Sequence, residues 1–179
     1  MKSSKGSAYE RDFCKRLSLW WSNGKSDSIF WRTSNSGGRA TTRAKKGKGT
    51  QNQYGDVCAI DPIGQPLIDV FTIELKRGYS KYTIHDLFDK RKGAAKQQYE
   101  KWIEQIQKDH KLSGSRSWFL VTRRDRKREM ILMPKIMYRN LFIKNFTIFV
   151  FNDELFSFAP LDEFFARAKP DDIMELAEG

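Results

Sequence analysis

Glu74, Leu75 and Lys76 fall in a strand-like run, Leu67 to Arg77. Side chains alternate across a strand, so Glu74 and Lys76 share one face and Leu75 takes the other, with Phe71 and Ile73. Upstream, Gly55-Asp56-Val57 lies in a second apolar run, Tyr54 to Ile60. A turn centred on Gly64 would set Asp56 opposite Thr72, on the Glu74 face and about 7–8 Å from it diagonally. A slip of one residue would turn Asp56 to the other face, so the pairing depends on that register. Two carboxylates beside an ammonium suit hydrolysis of a phosphodiester. Hard oxygen ligands with few protein contacts fit Mg²⁺, which keeps several waters and takes phosphate oxygens as further ligands. Such a metal acidifies a bound water and stabilises charge on the phosphate, while a lysine orients the attacking water. The competing reading is a Glu–Lys pair on a solvated strand face, since E-x-K by itself is common.

Three further features bear on that choice. Glu10 falls inside the apolar stripe of a helix, among Phe13, Cys14, Leu17 and Trp21. A carboxylate there is costly unless it is paired or binds metal. Equally, Ser7-Ala8-Tyr9-Glu10 matches a capping box with Glu10 at its third helical position. Gly55, directly before Asp56, permits close approach of backbone or marks the start of a strand. Two basic segments flank the carboxylates along the chain. One carries Arg39, Arg43, Lys45, Lys46 and Lys48 among glycines, the other Arg123, Arg124, Arg126, Lys127 and Arg128. Both can hold phosphates without reading bases, and each alone also reads as a solvated run of charge.

The elements that must position these groups follow from periodicity. Residues 7–22 pattern as an amphipathic helix ended by Asn23-Gly24, and residues 28–34 as a strand. Tyr54–Ile60 and Leu67–Arg77 read as two strands joined by a turn, Asp61 to Pro66. Thr83 and Asp86 suggest a short helix. A longer one runs from after Gly93 to about Lys108, with Ala95, Tyr99, Trp102, Ile103 and Ile106 on one face. Trp118–Thr122 is nearly all apolar, as in a buried parallel strand. Met130–Met133 is a further strand. Beyond it come a helical stretch (134–140), strands at 147–151 and 155–158, and a helix at about 160–169. The order helix, three strands able to form a meander, helix, strand predicts an α/β sandwich around a mixed sheet. There are no internal repeats and no clear linker, so one domain is expected.

The chain has 179 residues, 33 Lys and Arg against 22 Asp and Glu, and a formal net charge of +11. Such a field draws polyanions, nucleic acid first among them. Mean hydropathy is -0.66 because 31% of residues are charged; 39% are hydrophobic, enough for a core. No apolar run approaches the ~20 residues of a membrane span, and the polar N-terminus lacks a secretory pattern. The expectation is a cytoplasmic protein with no membrane partner. Cys14 and Cys58 sit in apolar patterns and read as reduced core residues. Neither they nor the isolated His85 and His110 make a zinc site.

These motifs together resemble the PD-(D/E)xK nuclease superfamily, and within it the archaeal-type Holliday-junction resolvases and related phage nucleases. The matching pieces are Lys5-Gly6-Ser7 with Glu10-Arg11, Arg32-Thr33-Ser34-Asn35-Ser36-Gly37, Gly55-Asp56-Val57 and Ile73-Glu74-Leu75-Lys76, in the family's order over roughly residues 5–125. The resemblance implies a restriction-endonuclease-like α-β-β-β-α-β core over about 5–133, with a C-terminal α/β extension over about 134–179. It implies cleavage of DNA dependent on Mg²⁺ or Mn²⁺. By that analogy Asp56 and Glu74 are metal ligands, the Leu75 carbonyl a backbone ligand, Lys76 the catalytic lysine and Glu10 an auxiliary acid. Ser34 or Ser36 would lie near the scissile phosphate, and Gln98 matches the glutamine helix of some members. Two departures stand out. Gly55 occupies the position of the motif proline, and the long gap from Asp56 to Glu74 leaves Asp61 and Asp69 as rival ligands.

The leading expectation is a structure-selective DNA endonuclease acting on branched DNA. Symmetric cleavage of a junction would favour a two-fold dimer. The alternatives are a restriction-like or phage nuclease of other preference, an RNase, or a nucleic-acid binder without activity.

Overall fold

The computed structural model describes residues 4–33 and 54–179. Helix α1 (Ser4–Trp21) buries Tyr9, Phe13, Cys14, Leu17 and Trp21, the expected stripe. Ser18 lies in the same face, fully buried, where an unpaired hydroxyl would be costly. Its Oγ donates to the Cys14 carbonyl at 2.8 Å and accepts from the amides of Ile29 and Phe30 at 3.1 and 2.9 Å. That latch fixes where strand β1 (Phe30–Arg32) leaves the helix. β1 pairs antiparallel with β2 (Val57–Ala59), Trp31 opposite Cys58.

After β2 the chain departs from the expected hairpin. A 3-10 turn (Pro62–Gly64) runs into helix α2 (Gln65–Val70), and only then does strand β3 (Phe71–Arg77) begin. Pro66 opens the helix, where its missing amide costs nothing. The three expected strands therefore do not form a meander. β1 and β2 make a two-stranded sheet, while β3 is the edge of a five-stranded one. Among the described residues, one backbone bond links them, from the Asp56 amide to the Ile73 carbonyl at 2.7 Å.

The larger sheet has the order β3-β4-β5-β7-β6, from β3 through β4 (Ser117–Arg123), β5 (Glu129–Pro134) and β7 (Glu154–Pro160) to β6 (Thr147–Phe151). β3 and β4 are parallel, connected by helix α3 (Gln98–Ser113); all other neighbours are antiparallel. The all-apolar look of β4 has the expected cause, burial on both faces. Phe119 and Val121 pack with Ile73, Leu75 and the α1 residues. Trp118 and Leu120 pack on the other side with Trp102, Ile103 and Ile106 of α3. Burying one such side chain contributes roughly 1.5–3 kcal/mol.

The residues beyond 134 supply two strands of this sheet and three helices, α4 (Lys135–Asn140), α5 (Leu161–Arg167) and α6 (Pro170–Glu178). Phe164 and Ile173 are fully buried in the same cluster as Phe13 and Phe119. The result is a mixed sheet flanked by helices, a restriction-endonuclease-like fold. Among the described residues, no helix is long and apolar enough to cross a membrane. Cys14 and Cys58 are free thiols, Cys14 fully buried and Cys58 half-buried.

Candidate active site

On the α3 side of the sheet, β4 presents apolar Trp118 and Leu120, whereas their partners on β3 are Thr72 and Glu74. Next in line Lys76 faces Thr122. β3 thus carries a polar stripe, Thr72-Glu74-Lys76, beside an otherwise apolar layer. Glu74 is 2% exposed and its Oε1 is ion-paired with Lys76 Nζ. The same oxygen accepts from Gln105 Nε2 at 2.9 Å, and Lys76 Nζ also donates to Gln105 Oε1 at 3.2 Å. Gln105 projects from α3, so one amide clamps both charged groups.

Asp56 reaches the cluster from the free edge of β3. Its Oδ2 accepts from the Leu75 amide at 2.9 Å, and it is 4% exposed. The register is one residue off the expected pairing with Thr72. Asp56 still lies beside Glu74, because its side chain reaches along the edge of β3. Gly55 makes this approach possible. Its φ is +77°, and a Cβ there would lie 2.5 Å from the Ile73 carbonyl oxygen. Proline, whose ring fixes φ near -65°, cannot replace it in this backbone. The departure at the motif proline therefore has a geometric cause.

The electrostatics are those of an overloaded acidic site. Burial and then the Glu74 charge push the Asp56 carboxyl up to about 8. Burial also raises Glu74, against the opposing pull of Lys76. Burial works to lower the Lys76 ammonium, but the charge and hydrogen bond of Glu74 outweigh it and hold it above its ordinary value. Asp109, one turn beyond Gln105 on α3, is raised by burial as well. Two desolvated carboxylates share the single Lys76 ammonium, and a hard divalent cation would supply further positive charge. Among the described residues no group of three or more Asp, Glu, His or Cys forms a cage. Two carboxylates and a backbone carbonyl, with water completing the shell, suit Mg²⁺ better than a metal that needs a closed protein cage.

Glu10 stands next to this centre but is neither buried nor a cap. Helix α1 already includes Ser4, so Ser7 lies inside it and the capping-box expectation fails. Glu10 Oε2 accepts from Arg32 Nη1 at 3.1 Å, and its charge bears on Asp56. The rival ligands lie elsewhere. Asp61 is exposed and caps the 3-10 turn through the Ile63 amide at 3.0 Å; Asp69, also exposed, accepts from Gln65 Nε2 at 2.8 Å. Gln98 is the first residue of α3, two turns before Gln105, which occupies the place expected of it. Gln105 was legible only as a polar residue at the edge of the stripe made by Trp102 and Ile106.

The second basic segment forms the β4–β5 turn, beside the Lys76 end of β3, since Arg77 pairs with Arg123. Arg123 lies 5.6 Å from the Tyr9 ring and pairs with Glu129 at 3.7 Å; Arg128 pairs with Asp162 at 2.6 Å. Arg124 and Lys127 have no ion-pair partner among the described residues. Ser34, Ser36, Arg39, Arg43, Lys45, Lys46 and Lys48 lie outside the described residues.

An aspartate and a Glu-x-Lys pair carried at the edge of a mixed sheet flanked by helices place the chain in the PD-(D/E)xK nuclease class. The family described as phage putative PDDEXK endonuclease matches residues 1–175, and the chain belongs to it. No curated protein and no solved structure matches.

Proposed function

We propose that the chain is a Mg²⁺-dependent DNA endonuclease, with Mn²⁺ able to substitute. The observation that carries this reading is the pair of buried carboxylates, Asp56 and Glu74, meeting beside Lys76. Asp56, Glu74 and the Leu75 carbonyl would hold the metal, which when bound supplies an acidified water and positive charge at the scissile phosphate. Lys76 orients the attacking water and offsets the charge that develops on the phosphate. Gln105 keeps Lys76 and Glu74 at fixed spacing, and Glu10, held by Arg32, contributes negative charge at the rim. Arg124 and Lys127, with Ser34, Ser36 and the basic residues between 39 and 48, grip the backbone. The substrate within this reading is branched DNA in the cytoplasm of a phage-infected cell, cut by a two-fold dimer.

Nicking of supercoiled plasmid tests the chemistry, and a four-way junction beside a linear duplex of equal length tests the preference. Cleavage is expected with Mg²⁺ and none with EDTA. Undiminished nicking in EDTA would refute the metal role, and equal rates on both DNA forms would refute the preference for branches.

A further inference from the structure

Beyond Lys76 the chain leaves the sheet as Arg77-Gly78-Tyr79. Gly78 takes φ +89°, and its amide donates to the Arg123 carbonyl at 3.0 Å. The Tyr82 amide then donates to the Tyr79 carbonyl at 3.1 Å, closing a turn that displays both rings. Tyr79 meets the Trp102 ring edge-on at 4.9 Å, and Trp102 meets Tyr99 at the same separation. Trp102 and Tyr99 are buried, and the Tyr99 hydroxyl donates to Thr122 at 3.1 Å. Tyr79 and Tyr82, 6.4 Å apart, are 43% and 37% exposed. Two open rings therefore rest on a floor fixed to both α3 and β4. Packing over Trp102 accounts for Tyr79 but not for Tyr82, whose only ring contact among the described residues is Tyr79.

Cations lie close to the rings in sequence and fold. Lys81 is exposed between the two tyrosines, and the Asp125 amide donates to Ser80 Oγ at 3.4 Å, tying this turn to the one carrying Arg124 and Lys127. Exposed aromatics interleaved with cations are the pattern of a surface that stacks bases and follows phosphates without reading sequence. Tyr79 lies three residues from Lys76, so at most about 10 Å of chain separates them, which keeps the rings within about three stacked bases of the site.

We propose that Tyr79 and Tyr82 form a stacking platform for an unpaired nucleobase within about three nucleotides of the scissile phosphate. The platform rests on the DNA-cleaving reading of the same site and specifies its substrate as DNA with an unstacked nucleotide near the cut. A continuous duplex hides its base faces, so only single-stranded, frayed or branched DNA engages the rings.

The test uses the full chain in EDTA, where no turnover occurs, titrated into a single strand carrying 2-aminopurine and into a duplex of the same length. The parent is expected to quench the 2-aminopurine. The double variant Tyr79→Leu, Tyr82→Leu is expected to bind the single strand roughly 10- to 100-fold more weakly and without quenching, with duplex binding within about two-fold of the parent. Tyr79→Phe, which keeps the ring, is expected to behave as the parent. Unchanged quenching in the double variant, or equal weakening on both DNA forms, would overturn the platform. A parent that nicks plasmid with Mg²⁺ while its double variant binds single strands normally sinks the platform alone. A parent that binds neither DNA sinks both readings.

Discussion

Replacing Asp56 with asparagine removes a buried ionisable group while keeping an oxygen for the Leu75 amide. In the fold the Asp56 carboxyl titrates near 8, raised by burial and by Glu74, against an ordinary 3.8. On unfolding it returns to water and to the ordinary value. Between those two values the unfolded chain binds fewer protons than the folded one, so metal-free stability falls as pH rises from about 4 and levels off above about 8. Each pH unit is worth about 1.4 kcal/mol, so the carboxyl costs on the order of 5 kcal/mol by pH 8. Asparagine does not titrate and escapes this loss. The Lys76 ammonium, held above its ordinary value by Glu74, stays charged across this window.

Asp56→Asn is therefore expected to melt close to the parent at pH 4.5 and about 10 °C or more above it at pH 8, both in EDTA, given roughly 2–4 °C per kcal/mol for a chain of this size. Thermal melts followed by circular dichroism across pH 4.5–8.5 would measure this. The same variant is expected to nick no plasmid. Adding Mg²⁺ at pH 8 is expected to raise the melting temperature of the parent and leave the variant unmoved, because a ligand stabilises only the state that binds it. A variant that melts with or below the parent at pH 8 in EDTA would refute the desolvation argument, whatever its activity.

Glu74→Gln and Lys76→Ala are each expected to abolish nicking while near-ultraviolet circular dichroism shows the fold intact; a rate within ten-fold of the parent for either one would remove that residue from the chemistry. Gln105→Leu is expected to slow single-turnover cleavage by about 10- to 100-fold, in the range of a lost positioning contact, and to destabilise by roughly 1.5–3 kcal/mol through the lost bond to a buried carboxylate; unaltered turnover would mean the clamp is structural only. Gly55→Ala is expected to destabilise by about 1–3 kcal/mol through its positive φ, and further through collision with the Ile73 carbonyl; chemical denaturation checks this, and a neutral result would mean the backbone there is free to move. Neutralising three of Arg39, Arg43, Lys45, Lys46 and Lys48 is expected to lower the log–log salt slope of duplex binding by up to about 3; anisotropy titrations giving an unchanged slope would show that this segment does not grip phosphates.

The parts of the site written in one continuous segment were legible, and the parts that depend on packing between segments were not. Glu74 and Lys76 share a face by the period of a strand, and the apolar run at 118–122 announced a strand covered on both sides. Leu67 to Val70 is helical where the pattern predicts a strand, because three apolar residues around Asp69 do not tell strand from helix. Pro66 was the overlooked signal for a helix start. The same kind of signal went unread at α6, where Pro170-Asp171-Asp172 supplies a proline and two acids in the first turn. At Glu10 the local pattern of a capping box was present, but the helix begins upstream of it. Local spacing cannot show where a helix starts when the preceding residues are also compatible with it.

The misreadings did not cost the site because the two acids converge by a different route from the one the spacing suggested. A hairpin would have aligned Asp56 with Glu74 through a ladder of backbone bonds. Instead α2 fills the interval, and Asp56 is positioned by its amide's bond to the Ile73 carbonyl, its carbonyl's bond from the Thr33 amide at 3.0 Å, one side-chain bond from the Leu75 amide, and a glycine that lets the chain come close enough. Few bonds position it, and its neighbour Glu74 adds electrostatic strain to its burial. The strand beneath it tolerates this because β3 is parallel to β4 and its other face, Phe71, Ile73 and Leu75, is locked into the apolar cluster with α1. One face of β3 thus stabilises the fold while the other concentrates charge that apolar contacts would not tolerate. A cation at Asp56 and Glu74 would relieve that concentration, which is why metal binding, stability and cleavage are expected to move together when Asp56 is changed.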